Sequence, residues 1–395
     1  MVTEAKIICQ QSIPVLDVKY HLCVAQEHNV KVDVSSTTPS TPMFREVRVS
    51  SESVSTEIPH CQSVVSCSET IKDASLQTSS AKFSPNIRSG SYTDIGPRES
   101  MDDEHIQIDD LSTHLGGLFK CLVPSAFYAV FDGHGGPDAA TFVKRNAMRL
   151  FFEDAKLPQT YDTDAIFLKN LENSHRKAFV LADLALANEQ GISSSSGTTA
   201  LTALILGRHL LVANVGDCRA VLCRRGEAVE MSHDHRPSYL PERKRVEELG
   251  GFIIDGYLNG YLSVTRALGD WDLKFPLGSA SPLIAEPDVQ QITLTEDDEF
   301  LIIGCDGMWD VISSQQAVSL VRRGLRRHDD PQQCAKELVM EALRLNTSDN
   351  LTVIVICLSS PERMIESCPP PRRRFRAFSL SEEARSRLKS LLEGN

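Results

Sequence analysis

Val130-Phe131-Asp132-Gly133-His134-Gly135-Gly136 is the stretch on which the reading of this chain turns. The run Phe127-Tyr128-Ala129-Val130-Phe131 has strand character, and Pro137 to Phe152 shows apolar residues at helical spacing with Pro early in the first turn. A strand therefore ends in an Asp, a Gly, a His and two more glycines before a helix begins. A carboxylate at a strand tip can ligate a hard cation. A Gly beside it lets the backbone bend, so that its own carbonyl can join the ligand set. A His next to such a site can serve as a general acid. Taken alone, the same residues also suit a tight turn.

Outward from this stretch, four further acidic groups stand at strand ends or beside loops. They are Met101-Asp102-Asp103-Glu104-His105 before a loop, Val215-Gly216-Asp217-Cys218-Arg219, Asp306-Gly307-Met308-Trp309-Asp310 and Asp349-Asn350. Carboxylates brought together repel and raise one another's pKa unless a cation neutralises them. All-oxygen ligand sets suit Mg²⁺ or Mn²⁺ better than zinc. A pair of such ions activates water and clamps a phosphoryl oxygen. For each single Asp the competing reading is a turn residue or helix cap, and spacing does not say whether the tips converge.

The rest of the chain sets the frame. Strand-like runs lie at Ala200 to Leu206, Leu210 to Val215, Ala220 to Leu222, Phe300 to Gly304 and Leu351 to Leu358. Further helical patterns cover Pro241 to Leu249, Ser313 to Arg327 and Pro331 to Leu345. Strands and helices come in clusters without βαβ alternation, which points to an α+β fold with antiparallel sheets. Three segments follow. Residues 1–82 are a mostly disordered arm: from Ser35 to Ser80 about four residues in ten are Ser or Thr, too polar to bury a core. Residues 83–360 are the globular domain. Residues 361–395 carry Pro369 to Pro371, an arginine cluster from Arg372 to Arg376, and a final amphipathic helix with a capping box at Ser379 and Glu382.

Composition excludes several classes. The 395 residues carry a net charge of −12, which argues against a protein devoted to nucleic-acid backbones. No apolar run approaches the ~20 residues of a membrane span. The 11 cysteines are odd in number and form no C-x-x-C pair, so neither a disulfide framework nor structural zinc is expected. With no basic segment leading into an apolar one at the N-terminus, the expected location is cytoplasmic, nuclear or both.

In order along the chain stand G-P-R-x-S-M-D-D, F-D-G-H-G-G, G-T-T-A, V-G-D-C-R, S-H-D-H-R-P, S-V-T-R-A-L-G-D, E-P-D, C-D-G-M-W-D and S-D-N-L-T-V. This series resembles the metal-dependent protein phosphatase family, type 2C, and most of all its plant branch. The resemblance implies a β-sandwich of two antiparallel sheets flanked by helices, with the metal site at one end. It implies hydrolysis of phosphoserine and phosphothreonine in proteins, in signalling, with two Mg²⁺ or Mn²⁺ ions and no covalent intermediate. Asp132 matches the bridging metal ligand and the Gly133 carbonyl a ligand to one ion. Asp306 and Asp349 match ligands to the other. Asp102 and Asp103 match an acidic pair that binds metal waters, His134 the proton donor to the leaving oxygen, and Arg98 the phosphate-gripping arginine. Asp217 and Asp310 match a third-metal region. Family members usually act as monomers, and that is the expectation here.

Two departures and the tails complete the reading. Asp102 stands where the family usually has Glu, one methylene longer, so altered metal affinity is expected. The stretch Gly250 to Asp270 matches the family's flap, but Asp255 to Gly260 lacks the tryptophan of plant hormone co-receptor phosphatases. The arginine cluster reads as a solvated or docking segment, a nuclear import signal or a nucleic-acid contact. Phosphorylation of Ser379, three residues after Arg376, would favour the final helix through its dipole. The competing function is a phosphoprotein- or DNA-associated regulatory scaffold on the same fold. A two-metal nuclease shares the carboxylates but needs a basic groove that the composition does not supply.

Overall fold

The computed structural model describes residues 83–116, 123–154, 165–274 and 279–359, together with four residues of a C-terminal helix, Glu383, Arg387, Lys389 and Ser390, whose side chains are exposed. All belong to the unit Gln77–Asn395. The expected N-terminal arm, the arginine cluster, Ser379 and the apolar stripe of the last helix lie outside the described residues. Among the described residues no helix is long and apolar enough to cross a membrane.

The chain opens with β1 (Arg88–Asp94), β2 (Glu104–Ile108), α1 (Leu111–Leu115) and β3 (Ser125–Phe131). The short β4 (Gly133–His134), α2 (Asp138–Met148), a π-helical turn (Arg149–Asp154) and α3 (Ala165–Asn188) follow. Next come β5 (Gly197–Thr198), β6 (Ala200–Leu206), β7 (His209–Val215), β8 (Arg219–Arg224), β9 (Glu227–Glu230) and α4 (Leu240–Glu248). The flap contributes β10 (Ile253–Ile254), β11 (Tyr257–Leu258) and β12 (Leu268–Gly269). β13 (Asp288–Thr293), β14 (Asp298–Gly304), α5 (Asp306–Trp309), α6 (Ser314–His328), α7 (Pro331–Arg344) and β15 (Leu351–Cys357) complete the domain.

Two five-stranded sheets result, ordered β1-β15-β14-β8-β9 and β13-β7-β6-β3-β2. Every pairing within them is antiparallel. The expected sandwich is what forms, and period-two alternation explains why its central strands read as unbroken apolar runs. In β3, Ala126, Tyr128 and Val130 join Leu201, Ile205, Leu301, Ile303, Ile354 and Ile356 between the sheets. Phe127, Ala129 and Phe131 face the other way, onto Val143 of α2 and Leu171 and Phe179 of α3. On the opposite outer face Phe300, Ile302, Val353 and Val355 pack against Val318, Val321, Leu338 and Val339 of α6 and α7. Each fully buried Val, Leu, Ile or Phe among them contributes about 1.5–3 kcal/mol of transfer free energy.

The structure corrects the sequence reading at several points. The segment after Asp103 is not a loop: Glu104–Ile108 is β2, at the edge of its sheet. The helix expected over Pro137 to Phe152 is α2 followed by a π-helical turn, which buries Leu150 and Phe151. Phe151 then meets Phe179 edge-on at 5.3 Å between ring centroids. The sequence pattern does not announce the 24-residue α3, although Phe167, Leu171, Ala178, Phe179, Ala182 and Leu186 all bury on one face. Nor does it announce β1 and β13, which are polar edge strands.

Candidate metal centre

The acidic groups converge at one end of the sandwich because the central strands stop there. β3 delivers Asp132, and the turn after β7 delivers Asp217. Cys305 follows β14 and Asp306 begins α5, while Asp349 stands just before β15. One cleft is lined by Asp102, Asp132, Gly133, His134, Asp217, Asp306 and Asp349, with Arg98 at its rim. Carboxylate oxygens of Asp132, Asp217 and Asp306 lie within 4.8 Å of one another. Asp103 sits beneath, nearly buried, also within that distance of Asp132, and accepts a hydrogen bond from Thr352 Oγ1 at 2.7 Å. Asp310 does not line the cleft: it is half exposed on the outer side of Arg236.

Local backbone contacts fix these positions. The Asp132 carbonyl accepts from the Thr199 amide at 2.9 Å and from Thr198 Oγ1 at 3.1 Å. At Gly133 a Cβ would collide with the Asp102 carbonyl oxygen, so the close approach of the two acidic segments requires glycine. The loop carrying Arg98 and Asp102 is pinned by Asn350. Its Oδ1 accepts from the Asp102 amide at 2.9 Å, and its Nδ2 donates to the carbonyls of Ile95 at 2.8 Å and Ser100 at 2.9 Å.

Burial and mutual repulsion leave the cluster short of positive charge. Asp132 is pushed well above the usual carboxylate range by burial first, then by Asp103, Asp306, Asp217 and Asp349. Burial, Asp217 and Asp310 raise Asp306 to about 8, against the opposing pull of Arg236. Burial is also the main cause that lifts Asp103 and Asp217 to about 6. Asp102 Oδ1 is buried without a hydrogen-bond partner, which is costly unless a cation or its water meets it. Cys305 lies within ligand distance of Asp103 and Asp132, but burial pushes its thiol up, and its sulfur is engaged by the Thr352 amide at 3.1 Å. The usable donors are therefore oxygens, a set that fits Mg²⁺ or Mn²⁺.

Three cationic or hydrogen-bonding partners were not singled out from the sequence. Arg236 reaches Asp217, Asp306 and Asp310, each at 2.9 Å. Asp270 holds His134 Nε2 at 2.7 Å, where the three-stranded β12-β5-β4 ribbon brings them together across Gly197. A Cβ at Gly197 would overlap both side chains. Asn350 is the third. All three stand inside motifs quoted above, S-H-D-H-R-P, R-A-L-G-D and S-D-N, and only Asn350 adjoins a candidate ligand, Asp349. Arg98 donates to Asp349 Oδ2 at 2.7 Å and to the Ser348 carbonyl at 3.0 Å.

Residues 92–351 match the family model for protein phosphatase 2C. The chain is 66% identical over 319 residues to "Probable protein phosphatase 2C 2" of Oryza sativa subsp. japonica, covering 80% of this chain and 84% of that protein. It is 58% identical over 405 residues to "Probable protein phosphatase 2C 13" of Arabidopsis thaliana, covering both in full. Among solved structures, the serine-threonine phosphatase 2C of Toxoplasma gondii is similar in fold, with TM-score 0.58 and 22% identity over 70% of this chain and 98% of that one.

Proposed function

Because this chain belongs to the protein phosphatase 2C family, and so is a metal-dependent protein serine/threonine phosphatase acting on phosphoproteins, we propose that the acidic cleft is its catalytic centre. The observation that carries this reading is the approach of the Asp132, Asp217 and Asp306 carboxylates within 4.8 Å. In this reading Asp132, the Gly133 carbonyl, Asp306 and Asp349 would hold two Mg²⁺ or Mn²⁺ ions in the cleft. Such a pair supplies charge for the phosphoryl oxygens and a water acidic enough to act as nucleophile near neutral pH.

The chain's own residues do the rest. Asp102, whose Oδ1 is buried without a partner, would support the ions, and its shortness relative to Glu would favour contact through water. Asp103 supports Asp132 from below, itself held by Thr352. Arg98, more than half exposed at the rim, can turn its planar fork onto two phosphoryl oxygens. Its pairing with Asp349 keeps it near the site until then. His134, oriented by Asp270, supplies the proton that a Ser or Thr alkoxide needs on leaving.

The same reading keeps the division into an arm (1–82), a catalytic domain (83–360) and a basic tail with a terminal helix (361–395). It has the enzyme acting as a monomer in the cytoplasm or nucleus, with the tails as docking segments and Ser379 as a regulatory phosphorylation site.

The deciding experiment is phosphate release from a phosphothreonine peptide with Mn²⁺, with Mg²⁺ and with EDTA. Release with either ion and none in EDTA is expected. Equal release in EDTA, or none from the folded protein with both ions, would refute the assignment. For His134→Gln the loss on the peptide should be roughly 10²–10⁴-fold. On an aryl phosphate, whose leaving group needs no proton, the loss should be far smaller. Equal losses on the two substrates would remove His134 from the proton-donor role.

A further inference from the structure

Arg236 is a permanent positive charge inside the acidic end of the domain, and its placement is over-determined. It follows His235, whose ring is buried and whose Nδ1 accepts from the Gly216 amide at 3.1 Å. The His235 amide donates back to the Gly216 carbonyl at 2.9 Å, and the His235 carbonyl accepts from the Thr265 amide at 2.8 Å. On the preceding residue, Asp234 takes both arms of Arg219, at 3.0 and 2.6 Å. Residues 234–236 are thus locked to the tip of β7, two residues from Asp217, and the guanidinium is aimed inward.

There Nε donates to Asp217, and the terminal nitrogen is shared between Asp306 and Asp310. One group therefore bridges a corner of three carboxylates and offsets one of their charges, and guanidinium keeps its proton near neutral pH. Asp306 is common to this corner and to the proposed metal pair. An ion bound there meets a fixed like charge next to its own ligand.

We propose that Arg236 is a built-in counter-cation, a positioning residue that occupies the Asp217–Asp306–Asp310 corner in place of a third divalent ion and thereby holds the centre to two ions of modest affinity. This rests on the two-metal reading above. It departs from the third-metal role that resemblance assigns to Asp217 and Asp310, because a side chain of this protein already fills that role. Lysine at this position would keep the charge but lose the fork that lets one group serve three acids.

The test counts Mn²⁺ ions bound to the metal-stripped full-length protein, by titration calorimetry and by the electron paramagnetic resonance of free Mn²⁺. Wild type and Arg236→Lys should bind two ions per chain. Arg236→Gln should bind three, with half-saturation for the shared Asp306 site at a concentration at least ~10-fold lower, a change of roughly 1.4 kcal/mol per tenfold. In EDTA the Gln variant should also melt below wild type, and Mn²⁺ should close the gap. Folding of the Gln variant only when Mn²⁺ is present would support the proposal equally, since an ion then replaces the lost cation. Two ions at unchanged affinity in a folded Gln variant would overturn it, as would three ions in wild type. A Gln variant folded in neither condition would also overturn it, by making Arg236 purely structural. Wild type that binds no Mn²⁺ would instead refute the metal-centre reading itself, and the proposal with it.

Discussion

Asp306→Asn is expected to lower kcat/KM on a phosphothreonine peptide by at least roughly 10²–10³-fold at saturating Mn²⁺, the scale on which preorganised charge at a reacting centre is lost. The substitution keeps size and the start of α5 but removes a full negative charge from the middle of the cluster. Asp306 stands within ligand distance of Asp132 and Asp217 and shares Arg236 with Asp310. Losing it therefore weakens ion binding and also leaves Arg236 as a fixed positive charge with fewer partners. The fold should survive, because the helix begins after a strand that is buried along its whole length. Steady-state kinetics over a range of Mn²⁺, with circular dichroism as the fold control, decide the matter. Activity within tenfold of wild type would take Asp306 out of the metal set.

Stability should fall with rising pH when divalent ions are absent and lose that dependence when they are bound. In EDTA, Asp306 holds its proton up to about 8, and Asp132 is likewise raised, whereas the same groups in the unfolded chain ionise near 3.8. The folded state then binds protons that the unfolded state has released. Their stabilising contribution is complete below pH 3.8 and is lost as pH rises through the folded-state value. Melting temperature in EDTA should therefore fall between pH 6.5 and 8, with a slope of about 1.4 kcal/mol per pH unit for each proton retained. Below that window buried His175 pulls the other way. Burial lowers it to about 4, so its contribution is lost as pH falls below 6.5. With saturating Mg²⁺ the ions replace the protons, and the fall between pH 6.5 and 8 should disappear. Scanning fluorimetry in the two buffers reads both curves. A melting temperature that rises from pH 6.5 to 8 in EDTA would show that the cluster is ionised without metal.

Much of this protein was determined by its sequence alone. β3, β6, β7, β14 and β15 are legible because both faces of each bury, one on the facing sheet and one on helices, so each is a continuous apolar run. The ends of β3, β7 and β14 are legible because Asp and Gly punctuate those runs there. Tertiary structure decided the remainder. β1, β2 and β13 pair on one side only and stay half wet, so no apolar pattern announces them. Asp132, Asp217, Asp306 and Asp349 share a cleft because antiparallel order sets the ends of β3, β7 and β14 beside the start of β15. Local spacing carries no trace of that pairing. The partners of Arg236, Asp270 and Asn350 are a matter of tertiary structure for the same reason. A charge or amide has many candidates along a chain of 395 residues. It acquires one set only when burial removes water, and the nearest opposite group becomes the one that must satisfy it.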